Sequence, residues 1–100
     1  MLQMKGKNVI VTMTNANHEY NWPIPRGTKK IQLQARQNVD VRLSYESTGT
    51  EVAGAYWTLK STHVYYEDCP LEVKDTKIYL RDPSNAGTIV EISYWIEVGN

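Results

Sequence analysis

The chain has 100 residues, the size of a single domain, and a domain of this size buries roughly two thirds of the surface its unfolded form exposes, enough for one ordinary core without metals or staples. Eleven Lys and Arg balance eleven Asp and Glu, so no net field steers the chain toward nucleic acid or a membrane surface. One cysteine, Cys69, excludes an intrachain disulfide and a cysteine-based metal cluster, and no run approaches the roughly 18 consecutive apolar residues of a membrane helix.

Seven Tyr, three Trp and many Val, Ile and Thr lean the chain toward strands, and with no Phe the aromatic bulk must come from Tyr and Trp. From the N-terminus, Lys5 and Lys7 precede a short alternation that lacks the apolar core and cleavage site of a signal peptide, and residues 8–14 (NVIVTMT) read as a strand. Asn15 to Glu19 is polar and reads as a loop containing His18. Pro23 and Pro25 confine Trp22-Pro23-Ile24-Pro25 to an extended loop or a sheet edge, because neither proline can donate to a ladder.

Ile31, Leu33 and Ala35 alternate with Lys30, Gln32, Gln34 and Arg36; Val39, Val41, Leu43 and Tyr45 alternate with Asp40, Arg42, Ser44 and Glu46. Period-two alternation marks strands with one buried face, and Gln37-Asn38 between the two runs suits a tight turn, so residues 28–46 are predicted as a β-hairpin. Ser47-Thr48-Gly49-Thr50 breaks the chain. Residues 56–60, 62–67 and 77–81 are predicted as short strands, and Asp82 to Gly87 as a second break, with Asp before Pro as a type I turn prefers.

Residues 88–98 form the last predicted strand, with Val90, Ile92, Tyr94, Ile96 and Val98 toward the core and Ile89, Glu91, Ser93, Trp95 and Glu97 away from it. No helical apolar stripe, repeat or linker is visible. Seven to eight short strands in one domain spanning 1–100 predict an all-β fold, a two-sheet antiparallel sandwich of jelly-roll type, because each sheet must bury one face.

The stretch VTMTNANHEYNWPIPRGTKKIQLQAR, followed by VRLSY, YWTLK, YYED, IYLR and GTIVEISYW, resembles a group of small β-sandwich virion structural proteins of tailed bacteriophages, over about Val9 to Trp95. Gln37-Asn38 stands where such proteins carry a Gly in the first tight hairpin. The resemblance implies a non-enzymatic capsid-decorating, head-fibre or tail-associated role. It also implies virion localisation after synthesis in the host cytoplasm, and other virion proteins as partners, with homo-oligomerisation open and neither nucleic acid nor membrane bound.

The residues themselves offer little chemistry. His18 and His63 lack a nucleophile signature nearby, and Glu67-Asp68-Cys69 cannot converge on one ion along a strand without a bend such as Pro70 would supply, so no catalytic, cofactor or metal residue is assigned. Cys69 reads as a small, partly buried apolar residue. Trp22, Trp57, Tyr65, Tyr66 and Trp95 fill the core or form a stacking platform for sugar, which keeps a carbohydrate- or receptor-binding module as the alternative function. Lys29 and Lys30 beside Arg26 read as a solvated basic spot.

The candidate protein-contact residues are Tyr20, Trp22, Pro25, Arg26 and Trp95: the 20–26 loop together with the outward side of the last strand. For Trp22 the competing expectation is that it plugs one end of the sandwich.

Overall fold

Alternating strands this short bury their apolar faces only by stacking two sheets. The computed structural model describes residues 3–69 and 73–98 and contains eight strands: β1 (Gln3–Met13), β2 (Tyr20–Pro23), β3 (Thr28–Ala35), β4 (Val41–Ser44), β5 (Trp57–Leu59), β6 (Tyr65–Asp68), β7 (Lys77–Arg81) and β8 (Thr88–Val98). One 3-10 turn, Gly49–Glu51, is the helical element among the described residues. The strands form two antiparallel four-stranded sheets, β1-β8-β3-β6 and β2-β7-β4-β5. Of the consecutive strands only β4 and β5 pair with each other; the chain otherwise passes from sheet to sheet at every step, which is the jelly-roll winding.

The first sheet sends Met13, Ile31, Leu33, Val90 and Ile92 into the core, and the second sends Trp22, Val41, Leu43, Leu59, Ile78 and Leu80. Each such side chain contributes about 1.5–3 kcal/mol on leaving water. Tyr94 is partly buried against this cluster, while Tyr45, expected on the apolar side of its strand, is 40 % exposed.

The predicted hairpin over residues 28–46 is not formed. β3 pairs with β8 and β6, whereas β4 pairs with β7 and β5 in the opposite sheet. The Gln37 side chain is drawn off instead: its Nε2 donates to Gly87 O at 3.0 Å and its Oε1 accepts from the Ile89 N–H at 2.9 Å. Alternation reports that one face is buried, and it does not report which strand lies alongside.

Two turns follow directly from their residues. Between β2 and β3, Pro25-Arg26-Gly27-Thr28 closes with the Thr28 N–H on Pro25 O, and Gly27 supplies φ 88°, the positive value a type II turn requires at that place. Between β7 and β8, the buried Asp82 carboxylate accepts from the Ser84 and Asn85 N–H groups at 3.0 and 3.1 Å and from the Thr88 hydroxyl at 2.6 Å. Burial alone would push this carboxyl up, but the bonds from Thr88, Ser84 and Asn85 prevail and hold it below the usual carboxylate range.

A buried cation ties three segments together. Arg81, 5 % exposed, donates to Asn17 O, to Thr50 Oγ1 at 3.1 Å and to Glu51 Oε1 at 2.7 Å. Glu19 adds a second clasp, accepting from the Thr48 N–H and the Thr50 hydroxyl at 2.8 Å each. Thr48 sits at φ 64°, a strained value for a β-branched residue, and the Glu19 bond helps to hold it there.

Candidate functional site

The five candidate contact residues do not share one surface. Trp22 lies in β2, not in a loop, and its side chain points inward, 7 % exposed, with its ring 5.5 Å from that of Tyr94. It therefore cannot anchor an outside partner; alternation along β2 places it on the inner face opposite Ile78. Tyr20 is half-buried on the same inner face, where its hydroxyl accepts from the Asn15 N–H at 2.9 Å. Pro25 is half-buried in the turn before β3. Arg26 is exposed but borders a shallow depression with Pro23, Tyr45 and Tyr79 on the side of the second sheet.

Trp95 is where the sequence places it, on the outward side of β8. Across the first sheet it stands in one row with Gly6 of β1, Lys30 of β3 and Asp68 of β6. A Cβ built on Gly6 would meet the Trp95 indole at 3.1 Å, so the glycine is what lets the ring lie over the neighbouring strand. Met4, Lys30, Tyr66 and Trp95 line a shallow depression there, with Met4 and Tyr66 each 48 % exposed.

The pairing of β3 with β8 slips by one residue between Thr28 and Lys30. The extra residue lets two successive lysines serve the outward side: Lys29 Nζ reaches Glu97 Oε2 at 4.0 Å, and Lys30 Nζ lies 5.7 Å from the centre of the Tyr66 ring. Tyr66, and after it Asp68, hold the Lys30 ammonium above its usual value.

Next to this row the face turns polar. Asn8 Oδ1 accepts from the Ser93 hydroxyl at 2.8 Å, and Gln34 donates to Glu91 at 3.0 Å. Gln34 first and Arg36 second hold the exposed Glu91 carboxyl below its usual value.

The remaining aromatic residues belong elsewhere. Trp57 stacks between Tyr45 and Tyr65, with ring centres 5.4 and 5.1 Å away, and closes the seam between β5 and β6. Burial, and then Tyr45, push the Tyr65 hydroxyl far up. Of the five residues considered for a sugar platform, Tyr66 and Trp95 alone share an exposed face.

Acids and histidines are dispersed or already engaged. His18 is exposed and packs edge-on against Tyr20 at 4.8 Å, while the Glu19 carboxylate is taken by Thr48 and Thr50. Glu67 accepts from Tyr65 and Asp68 from Tyr66, on opposite faces of β6. Among the described residues no three of His, Cys, Asp and Glu come together as a metal site. Cys69 is partly buried; burial foremost, then Glu67 and Asp68, push its thiol up. Pro70 lies outside the described residues.

Met4, Gly6 and Lys30 were not among the contact candidates read from the sequence, and Tyr66 was named there only in the sugar platform. Tyr66 and Lys30 carried a signal, since each alternates with residues of the buried side. Gly6 carried none, because its meaning lies in a pairing with a strand at the other end of the chain.

No family model matches the sequence, and no curated protein matches it. Among solved structures the chain is similar to the solution NMR structure of a de novo designed double-stranded β-helix, with a TM-score of 0.50 and 18 % identity, covering 94 % of this chain and 99 % of that one. Strand order and this likeness agree on the architecture: the chain folds as an eight-stranded double-stranded β-helix, the jelly roll.

Proposed function

We propose that this chain is a non-enzymatic docking module, an accessory structural protein of a tailed-phage virion, which seats the outward face of the sheet β1-β8-β3-β6 on the capsid or tail protein lattice. The observation that carries the docking surface is the Met4, Trp95 and Tyr66 cluster, two exposed apolar side chains that share a shallow depression with an indole on the outward sheet face. Aromatic and Met side chains are the types that anchor protein interfaces, and a repeated lattice needs only a modest contact from each copy. The virion assignment rests on the sequence resemblance, and jelly rolls serve capsids and lectins alike, so the fold by itself does not choose between them.

Sugar binding is the second reading, and the polar row bears on it. Carbohydrate modules use amides to meet hydroxyl groups, and here Ser93 takes the Asn8 Oδ1 and Glu91 takes one N–H of Gln34. That favours an apolar protein contact at Trp95.

The test is occupancy on particles. Virions purified from an infected culture are expected to contain the chain by mass spectrometry, and Trp95→Ala is expected to cut the copies per particle by on the order of tenfold with the fold intact, the loss typical of an interface anchor. Particles lacking the wild-type chain would refute the virion role. Wild-type occupancy of Trp95→Ala would remove this face, and saturable binding of soluble glycans, lost in Trp95→Ala, would move the face to the second reading.

A further inference from the structure

The open edges of the two sheets are treated very unequally. Strand edges carry unpaired backbone groups, and proteins blunt them by keeping them short or by adding proline, bulges or charge. β6 and β2 have four residues each, β5 has three, and β2 ends on Pro23. β1 is the exception: it has eleven residues, no proline, and an unbroken pairing with β8 from Gln3↔Val98 to Met13↔Thr88, which leaves its other side open among the described residues. Its charges, Lys5 and Lys7, lie in its first half, and Asn8 to Met13 carry none.

We infer that two copies of this chain join edge to edge through β1, antiparallel and centred on Ile10, to make one continuous eight-stranded sheet. The strand's own charge pattern disfavours two-fold registers in its first half. A two-fold pairing centred on Gly6 sets Lys5 against Lys7, and one centred on Lys7 sets that lysine against itself; like charges placed directly opposite each other destabilise. Centring on Ile10 puts Val9 opposite Val11, Asn8 opposite Thr12 and Lys7 opposite the apolar Met13. Ile10, 51 % exposed in the single chain, then meets its own copy.

The paired stretch, residues 7–13, is about 24 Å long at the usual strand rise. An interface this narrow lies at the weak end of specific contacts, so the dimer forms and dissociates with concentration. The two-fold axis stands perpendicular to the sheet and turns both Trp95 faces the same way. The pairing is read on the purified protein alone, so its failure and the failure of the docking reading are separate outcomes.

Sedimentation velocity on the full chain from about 1 to about 500 µM, the range in which small interfaces associate, is expected to move from monomer to dimer. Ile10→Lys and Ile10→Glu are each expected to weaken association by on the order of tenfold, and an equimolar mixture of the two to restore a mixed dimer, since opposite charges then face each other. In the wild-type chain, amide hydrogen exchange over residues 7–13 slows as concentration rises, a readout that needs no variant. A wild-type chain that stays monomeric throughout, wild-type dimerisation by either variant, a mixture that fails to recover, or protection that does not fall on residues 7–13 would each overturn the pairing.

Discussion

The Trp95 indole lies over Gly6 of the adjacent strand, so close that a Cβ on the glycine would stand 3.1 Å from Nε1 and 3.4 Å from Cδ1. A methyl group there forces the ring to give slightly, and a branched side chain evicts it. Gly6→Val is therefore expected to shift the indole N–H resonance of Trp95 while leaving those of Trp22 and Trp57 in place, and to cost about 1 kcal/mol, the low end of overpacking. An unmoved Trp95 resonance would show that the ring does not depend on the glycine.

Leu43 is completely buried between the sheets. Leu43→Ala is expected to lower the free energy of unfolding by about 2–5 kcal/mol in denaturant titration. A loss below about 0.5 kcal/mol, the surface range, would contradict its placement.

Asp82 supplies a pH dependence whose sign follows from its bonds. Its carboxyl is held below the ordinary value in the folded chain, so the unfolded chain takes up a proton first as pH falls. The stabilisation is complete above the unfolded value of about 4 and is lost as pH falls through that value toward the lower, folded one. Melting temperature measured from pH 6 to pH 3 should fall less steeply in Asp82→Asn than in the wild type; parallel curves would exclude this carboxylate as a source of acid sensitivity.

Arg81 joins loops that precede β2 and β5 to β7 through a fork of donors. Lysine offers one ammonium and cannot reproduce that fork, so Arg81→Lys is expected to cost about 1–3 kcal/mol. Glu51 is largely in solvent and is rehydrated when the arginine goes, which keeps the loss below that of a fully buried pair. Faster amide exchange at Asn17 and Thr50 in this variant would locate the damage in the two loops; unchanged stability and exchange would count against the clasp.

Cys69 should react slowly. Burial and the neighbouring Glu67 and Asp68 raise its thiol above the ordinary value, which reduces the thiolate present near pH 8. Alkylation by iodoacetamide is expected to run several-fold slower than for an unhindered thiol, and Cys69→Ser to stay within about 1 kcal/mol of the wild-type stability. Alkylation at the rate of an unhindered thiol would contradict the environment described.

Much of this fold was legible as faces. The bounds of β7 and β8 coincide with residues 77–81 and 88–98, and Ile31, Leu33, Val41, Leu43, Val90 and Ile92 all point inward, because unbroken alternation states directly which side is dry. Neighbourhood was not legible. The same alternation at 28–46 suggested a hairpin that the jelly roll splits between its sheets, and for Trp22 an outward contact and a plug of the sandwich end stood side by side, of which its burial fits the second. Trp95 was placed correctly on its outward side, but the site around it required three registers, to Gly6, to Lys30 and through Lys30 to Asp68, that join residues far apart along the chain.

The position of β8 between β1 and β3 bears on how the molecule comes into being. Strands made early, β1 and β3, have no hydrogen-bonding link to each other until the last strand slots in, so a ribosome-bound chain that stops before Thr88 holds three strands of its first sheet, with β1 unjoined to the β3-β6 pair. Long-range pairing of this kind is slow and leaves edges bare while it waits. The bareness of β1 is therefore at its greatest during synthesis, and Lys5 and Lys7, which emerge ahead of the uncharged half of β1, stand guard over the nascent strand before its proper neighbour exists.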